Sequence, residues 1–165
     1  MKYIFLVRHA KSSWADYSLA DHDRPLNNRG ERDAPFMATK LVDAGYAVHG
    51  LLSSTAKRAR KTANAFRKAF ELDKDQLHLE RGLYHAMPTQ IINEIKALPD
   101  SWTSVAVFGH NPGFTDLVNR FPGIHIDNVP TCGIHGSSCN VSNWSEWSPE
   151  KAEHLFFYYP KLWLT

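Results

Sequence analysis

The stretch KYIFLVRHA (Lys2–Ala10) runs a short apolar segment straight into an arginine and a histidine. Lys2–Val7 is rich in aromatic and β-branched residues, the composition of a strand buried on both faces. Arg8 and His9 therefore stand where a strand ends. Outward from this point, apolar runs and helical periods alternate along the whole chain. Ala34, Met37, Ala38, Leu41 and Val42 recur at helical spacing, with Asn27 as the N-cap and Gly45 as the stop. Pro35 falls inside that pattern, where it removes a hydrogen bond and should kink the helix or delay its start. Gly50–Ser53 reads as a second strand, followed by a helix whose inner face is Ala59, Thr62, Ala63, Phe66 and Phe70. A weaker strand at Leu77–Leu79 leads to a loop and a helix from Pro88. Ser104–Phe108 is the clearest central strand, and Pro112 suits the first turn of the helix after it. Strands near Gly133–Val141 and Glu153–Tyr158 complete the sheet. This alternation predicts a three-layer α/β/α sandwich with a largely parallel central sheet, one folding unit over residues 1–165.

Composition narrows the function. The chain has 165 residues, 43% of them apolar, with 19 basic and 17 acidic side chains. A net charge of +2 predicts no general affinity for nucleic acid or membrane. Cys132 and Cys139 fit neither a disulfide framework nor a zinc pattern and read as reduced thiols. The apolar run at Tyr3–Val7 is too short for a signal-peptide core or a membrane span, so the expected location is cytoplasmic. WSEWS at Trp144–Ser148 and the sequons at Asn140 and Asn143 belong to secreted contexts; here they read as coincidence, the tryptophans stapling a turn near the sheet edge.

The reactive residues share one kind of position. Arg8–His9 follows the first strand, Arg58 opens the helix after the second, and His110 follows the central strand. Open α/β sheets bind ligands outside the carboxyl ends of their strands, so these residues should meet on one rim. A phosphate dianion suits that rim. Arg8 and Arg58 can each grip its oxygens through paired hydrogen bonds, and His110 can donate a third contact. Arg58 and His110 also sit beside helix N-termini, which favour anions. Neighbouring cations lower a histidine's pKa, leaving a neutral His9 ring with a lone pair that can attack phosphorus. The arginines would then stabilise the transferring phosphoryl group. Arg60, two residues along the same helix as Arg58, would point away from the rim.

Six strings along the chain now carry a resemblance. LVRHAKSSW (Leu6–Trp14), DRPLNNRG (Asp23–Gly30), SSTAKRARKTA (Ser53–Ala63) and GHNP (Gly109–Pro112) resemble the histidine phosphatase superfamily, which includes the phosphoglycerate mutases. LYHA (Leu83–Ala86) and IDNVP (Ile126–Pro130) look like its SixA branch of phosphohistidine phosphatases. The resemblance covers nearly the whole chain. It implies a phosphoglycerate mutase-like fold, a covalent phosphohistidine on His9, and a phosphate pocket of Arg8, Arg58 and His110, with no cofactor and no metal. Two departures stand out. Ala15 occupies a position where mutase-like members carry asparagine, and no glutamate aligns with their general acid. Glu80 and His85 lie in that region and are the candidate proton donors. A weak acid suits a phosphoramidate, whose leaving imidazole can arrive protonated, better than a sugar phosphate. The short span between Arg58 and His110 leaves no room for a capping insertion, so the pocket should admit a phosphohistidine on a protein surface. A small-molecule phosphomonoesterase on the same site, or a phosphate-binding module without turnover, are the alternatives.

The remaining polar residues have plainer readings. Lys11 and Lys57 add positive potential or are simply solvated; Ser12 and Ser13 shape a turn or touch phosphate. Asp21, His22 and Asp23 look like metal ligands but lack a second cluster, and read as a loop network. His49, His78, His125, His135 and His154 read as packed or solvated.

Overall fold

A computed structural model describes residues 1–164. Ten main elements follow in chain order: β1 (Lys2–Arg8), α1 (Asn28–Asp43), β2 (Gly50–Ser54), α2 (Lys57–Ala69), β3 (Leu77–Glu80), α3 (Pro88–Lys96), β4 (Ser104–Gly109), α4 (Gly113–Val118), β5 (Ile134–Cys139) and β6 (Ala152–Tyr158). The six strands form one sheet in the order β3-β2-β4-β1-β5-β6. β3, β2, β4 and β1 pair in parallel. β5 runs antiparallel to both β1 and β6, so the parallel part of the sheet ends at β1. β4 lies between β2 and β1, as the uninterrupted apolar run Ser104–Phe108 predicts for a strand covered on both faces.

Side-chain alternation along β1 divides the core. Ile4 and Leu6 face one layer, with Ile91 and Ile95 of α3 and Phe114, Leu117 and Val118 of α4. Phe5 and Val7 face the other, with Ala34, Met37, Ala38 and Leu41 of α1 and Ala63 and Phe66 of α2. These are the three layers read from the sequence.

Asn27 caps α1 as expected, its side chain accepting from the Gly30 N–H. α1 nevertheless runs unbroken through Pro35. That residue is exposed, so the Glu31 carbonyl it leaves without a helical donor can turn to water. Pro112 is the residue just before α4 rather than within its first turn. Trp144 and Trp147 are core residues, not an edge staple: both are fully buried, and Trp144 Nε1 donates to the Trp102 carbonyl at 2.7 Å. That bond ties the segment after β5 to the segment before β4. No helix among the described residues is long and apolar enough to cross a membrane.

Candidate active site

β1 and β4 are neighbours in parallel, with Arg8 opposite Gly109, so the residues that follow each strand emerge side by side. His9 N–H donates to the Gly109 carbonyl at 3.1 Å, and the two imidazoles of His9 and His110 stand 5.2 Å apart, centre to centre. The turn after β1 is fixed from several directions. Cys132 N–H reaches the carbonyls of both Arg8 and His9. Ala10 N–H donates to Thr62 Oγ1 at 2.9 Å, and that hydroxyl donates on to the Arg58 carbonyl at 2.8 Å. Gly30 lies against the same turn, where a Cβ would collide with the Lys11 carbonyl. The strand end, α1 and α2 are thus locked around one histidine.

His9 is buried, and its Nδ1 lies 2.7 Å from the Ala10 carbonyl. A carbonyl only accepts, so Nδ1 carries the proton and Nε2 keeps its lone pair. The His9 pKa is lowered to about 3, by burial first and then by Arg58, Arg8 and Arg24, against the opposing Ala10 hydrogen bond. The neutral ring expected from sequence therefore owes more to burial than to neighbouring cations. His110 is lowered to about 2, again mainly by burial, with His9, Arg58 and His85 adding to it against the pull of Asp21. Its Nε2 lies 2.8 Å from Ser54 Oγ, at the end of β2. Ser54 Oγ also accepts from Ala56 N–H, and its second lone pair and its own proton allow it either to accept from the ring or to donate to it. His110 Nδ1 is buried with no hydrogen-bond partner among the described residues.

Arg58 is 3% exposed and opens α2, as the sequence places it. Its guanidinium is not a free fork. One terminal nitrogen donates to the Asp21 carbonyl at 2.7 Å and the other to Asp21 Oδ2 at 2.9 Å, leaving the remaining N–H groups for a ligand. Arg8 donates to the Val129 carbonyl at 2.9 Å and keeps a buried Nε without a partner. Arg60 is exposed, and its Nε donates to the Thr55 carbonyl at 2.9 Å.

Asp21 is the organiser that sequence reasoning placed in a bland loop network. Its carboxylate also accepts from Tyr84 Oη at 2.6 Å and Arg24 at 3.0 Å, and His85 Nε2 lies 3.2 Å away. Burial alone would raise its pKa, but the Tyr84 and Arg58 hydrogen bonds and the Arg58 charge hold it well below the usual carboxylate range. Arg24, buried, reaches Ser12 Oγ at 2.6 Å and the Ser13 carbonyl at 3.1 Å, which assigns both serines to the turn. Three guanidiniums against one carboxylate leave a surplus of two positive charges beside His9, the complement of a phosphate dianion.

The two candidate proton donors separate. His85, held at φ 53° in the left-handed region, lies at the rim with its ring 5.4 Å from that of His110. Gly113 allows this approach, since a Cβ there would collide with the Ala86 carbonyl. Glu80 ends β3, is exposed, and raises the pKa of Glu94 by its charge, behind that group's own burial. Among the described residues it makes no hydrogen bond to His9, Arg58 or His110. Asp21, Arg24, Tyr84, Ser54 and Thr62 were not singled out as site residues by sequence. The pairing of Asp21 with Arg58 crosses 37 positions and carries no local signature.

The chain is similar to known proteins along most of its length. Residues 4–85 match the model of the histidine phosphatase superfamily, branch 1. A protein of Mycobacterium tuberculosis is 33% identical over 165 residues, spanning 94% of this chain and 100% of the relative. Among solved structures, SixA of Agrobacterium tumefaciens superposes with a TM-score of 0.81 at 27% identity, covering 96% of this chain and 98% of its own. The SixA structure from Nakamurella multipartita gives 0.79 at 25%, covering 96% of both chains. The fold is the phosphoglycerate mutase-like one that the resemblance implied. Motif order and likeness along nearly the full length lead to one conclusion: the chain belongs to the histidine phosphatase superfamily, on its SixA-type branch.

Proposed function

We propose that the protein removes phosphate from phosphohistidine on other proteins, through a phosphoryl group carried on His9. One observation supports this above all: a buried, neutral imidazole whose proton is fixed on Nδ1, set among arginines. His9 Nε2 attacks phosphorus in line, and the P–N bond to the substrate imidazole breaks. Arg8, Arg58 and the His110 ring hold the equatorial oxygens as charge spreads over them. Water then attacks the His9 phosphoramidate and releases inorganic phosphate.

The proton supply favours phosphohistidine over an ester. An alkoxide leaving group needs an acid, and Asp21 stays ionised at neutral pH. An imidazole leaving group can bring its own proton. One contact favours the small-ester alternative, the approach of His85 to Asp21 at the rim, which could place a proton donor there.

Single turnover with a labelled histidine-containing phosphotransfer domain tests the mechanism. Acid-labile, base-stable label should appear on His9; a phosphate-binding module would trap none. Steady-state turnover of that domain should exceed that of 3-phosphoglycerate and sugar phosphates. Faster turnover of the small esters, abolished by His85→Phe, would replace the proposal with the ester reading.

A further inference from the structure

Beside the phosphate site lies a second concavity of about 570 Å³ that does not include His9. Its walls are the start of α1, the turn after β1, the loop around Pro130 and the segment from Tyr159 to Leu164. Arg8, Lys11, Arg29, Arg32 and Lys161 line it, against one side-chain carboxylate among the described residues, Asp33. Asp33 is buried and held by Arg32 at 2.8 and 2.9 Å. The cleft therefore carries a surplus of four positive charges, whereas the whole chain carries +2, so the rest of the protein is net negative. Basic charge is concentrated here, next to the turn that carries His9.

We propose that this cleft binds acidic side chains of the phosphorylated protein, on the segment flanking its phosphohistidine. The proposal rests on the phosphohistidine reading above and adds a rule of substrate choice to it. Arg29 and Arg32 keep 52% and 53% of their side chains exposed, so the cleft offers guanidiniums along a rim rather than an enclosure for a small molecule. Surface carboxylates meet such a rim through charge-assisted, bidentate bonds. Arg8 connects the two sites, lining the cleft while its charge also reaches His9. The loop that carries Asp21 exposes Trp14 (59%) and Tyr17 (87%), and Arg24 stacks on the Trp14 ring at 3.3 Å. These exposed aromatics do not line the cleft; they stand on the segment that follows the His9 turn, and aromatics together with arginines are enriched at protein-docking surfaces.

The test uses two synthetic peptides, each phosphorylated on its one histidine, with Asp and Glu around it in the first and Asn and Gln in the second. The native protein should show a KM about tenfold lower for the acidic peptide, a difference that shrinks as salt rises. Arg29→Glu and Lys161→Glu should each erase most of that preference while free phosphohistidine is turned over as before. Lys161→Glu leaves both cations on Asp33 in place; Arg29→Glu removes the longer contact, Arg29 Nε to Asp33 Oδ2 at 4.0 Å, and keeps the Arg32–Asp33 pair at 2.8 Å. Equal KM values for the two peptides, or variants that slow free phosphohistidine as much as the acidic peptide, would overturn the proposal. Binding of the unphosphorylated peptides, followed by fluorescence anisotropy, reads the cleft independently of catalysis. If the native protein turns over esters but not free phosphohistidine, the function reading fails; the cleft stands if anisotropy still shows acidic preference lost in Lys161→Glu, and falls if it does not. Displacement of the acidic peptide by pyrophosphate at equal concentration would assign the cleft to small polyanions and overturn the peptide proposal.

Discussion

Two pairs of imidazoles lie in this protein at nearly the same separation. His9 and His110 are 5.2 Å apart with their rings inclined at 51°; His135 and His154, on β5 and β6, are 5.1 Å apart and stacked at 11°. Each pair contains a buried ring with an unpartnered Nδ1, His110 in one and His135 in the other. The pKa of His135 is lowered to about 3, by burial and then by His154, much as burial lowers His9. What differs is the company. His9 and His110 follow the ends of two parallel strands and have guanidiniums around them. His135 sits within the sheet opposite Leu6, with the Phe121 ring against it. A perturbed histidine is therefore not by itself a site. Position at the strand ends and a surplus of positive charge make the difference.

The largest effect expected from this contrast is on turnover. His9→Gln should lower kcat by about 10⁴-fold, the scale on which removal of a covalent nucleophile acts. His135→Gln should leave kcat within about twofold, because nothing at that ring meets substrate. Steady-state assays on a phosphorylated phosphotransfer domain check both. A comparable loss in the two variants would mean that the pairs are coupled and that the contrast is false.

Arg58 and Asp21 sharpen the same comparison from the charge side. Arg58→Ala should cost about 10²- to 10³-fold in kcat, as when a donor to a transition-state oxyanion is removed. Asp21 touches no substrate atom in the proposed mechanism; it positions Arg58 and Tyr84. Asp21→Asn keeps an acceptor for both and should lose about tenfold, with Asp21→Ala losing more. The loss should fall on kcat rather than KM. A rise in KM alone would assign Asp21 to substrate binding.

Much of this arrangement was legible in the sequence because it lies at element ends. KYIFLV announces β1, and Arg8–His9 follow it directly, so strand position carried over to site position. Gly109–His110 after SVAVF gave the second imidazole by the same logic. Pro35 misled because its effect depends on which helix face it occupies, and an exposed carbonyl tolerates its missing donor. The tryptophans misled for a related reason: burial depends on what the later chain folds against, here the Asp100–Trp102 segment. Asp21, Tyr84 and Thr62 stayed hidden because their bonds join distant segments. No periodicity or spacing encodes a carboxylate that reaches across 37 positions to an arginine.

The smallest effect concerns stability, and it tests what the two pairs share. His9, His110 and His135 have folded-state pKa values lowered to about 3, 2 and 3, against an ordinary value of 6.5. Each favours the folded state fully above pH 6.5. As pH falls below that, the unfolded chain takes up protons that the folded chain refuses, and the contribution is lost progressively down to about pH 3. The loss per ring is about 1.4 kcal/mol for each pH unit. Urea unfolding at pH 7.5, 6.0 and 5.0 should therefore show stability falling with acid. His135→Phe should remove about one third of that slope without altering kcat, since the pair it breaks lies away from the guanidiniums. An unchanged slope would mean that His135 protonates freely in the folded protein. Its likeness to His9 would then be one of spacing alone, and burial would have to be dropped as the main reason that the His9 ring stays neutral.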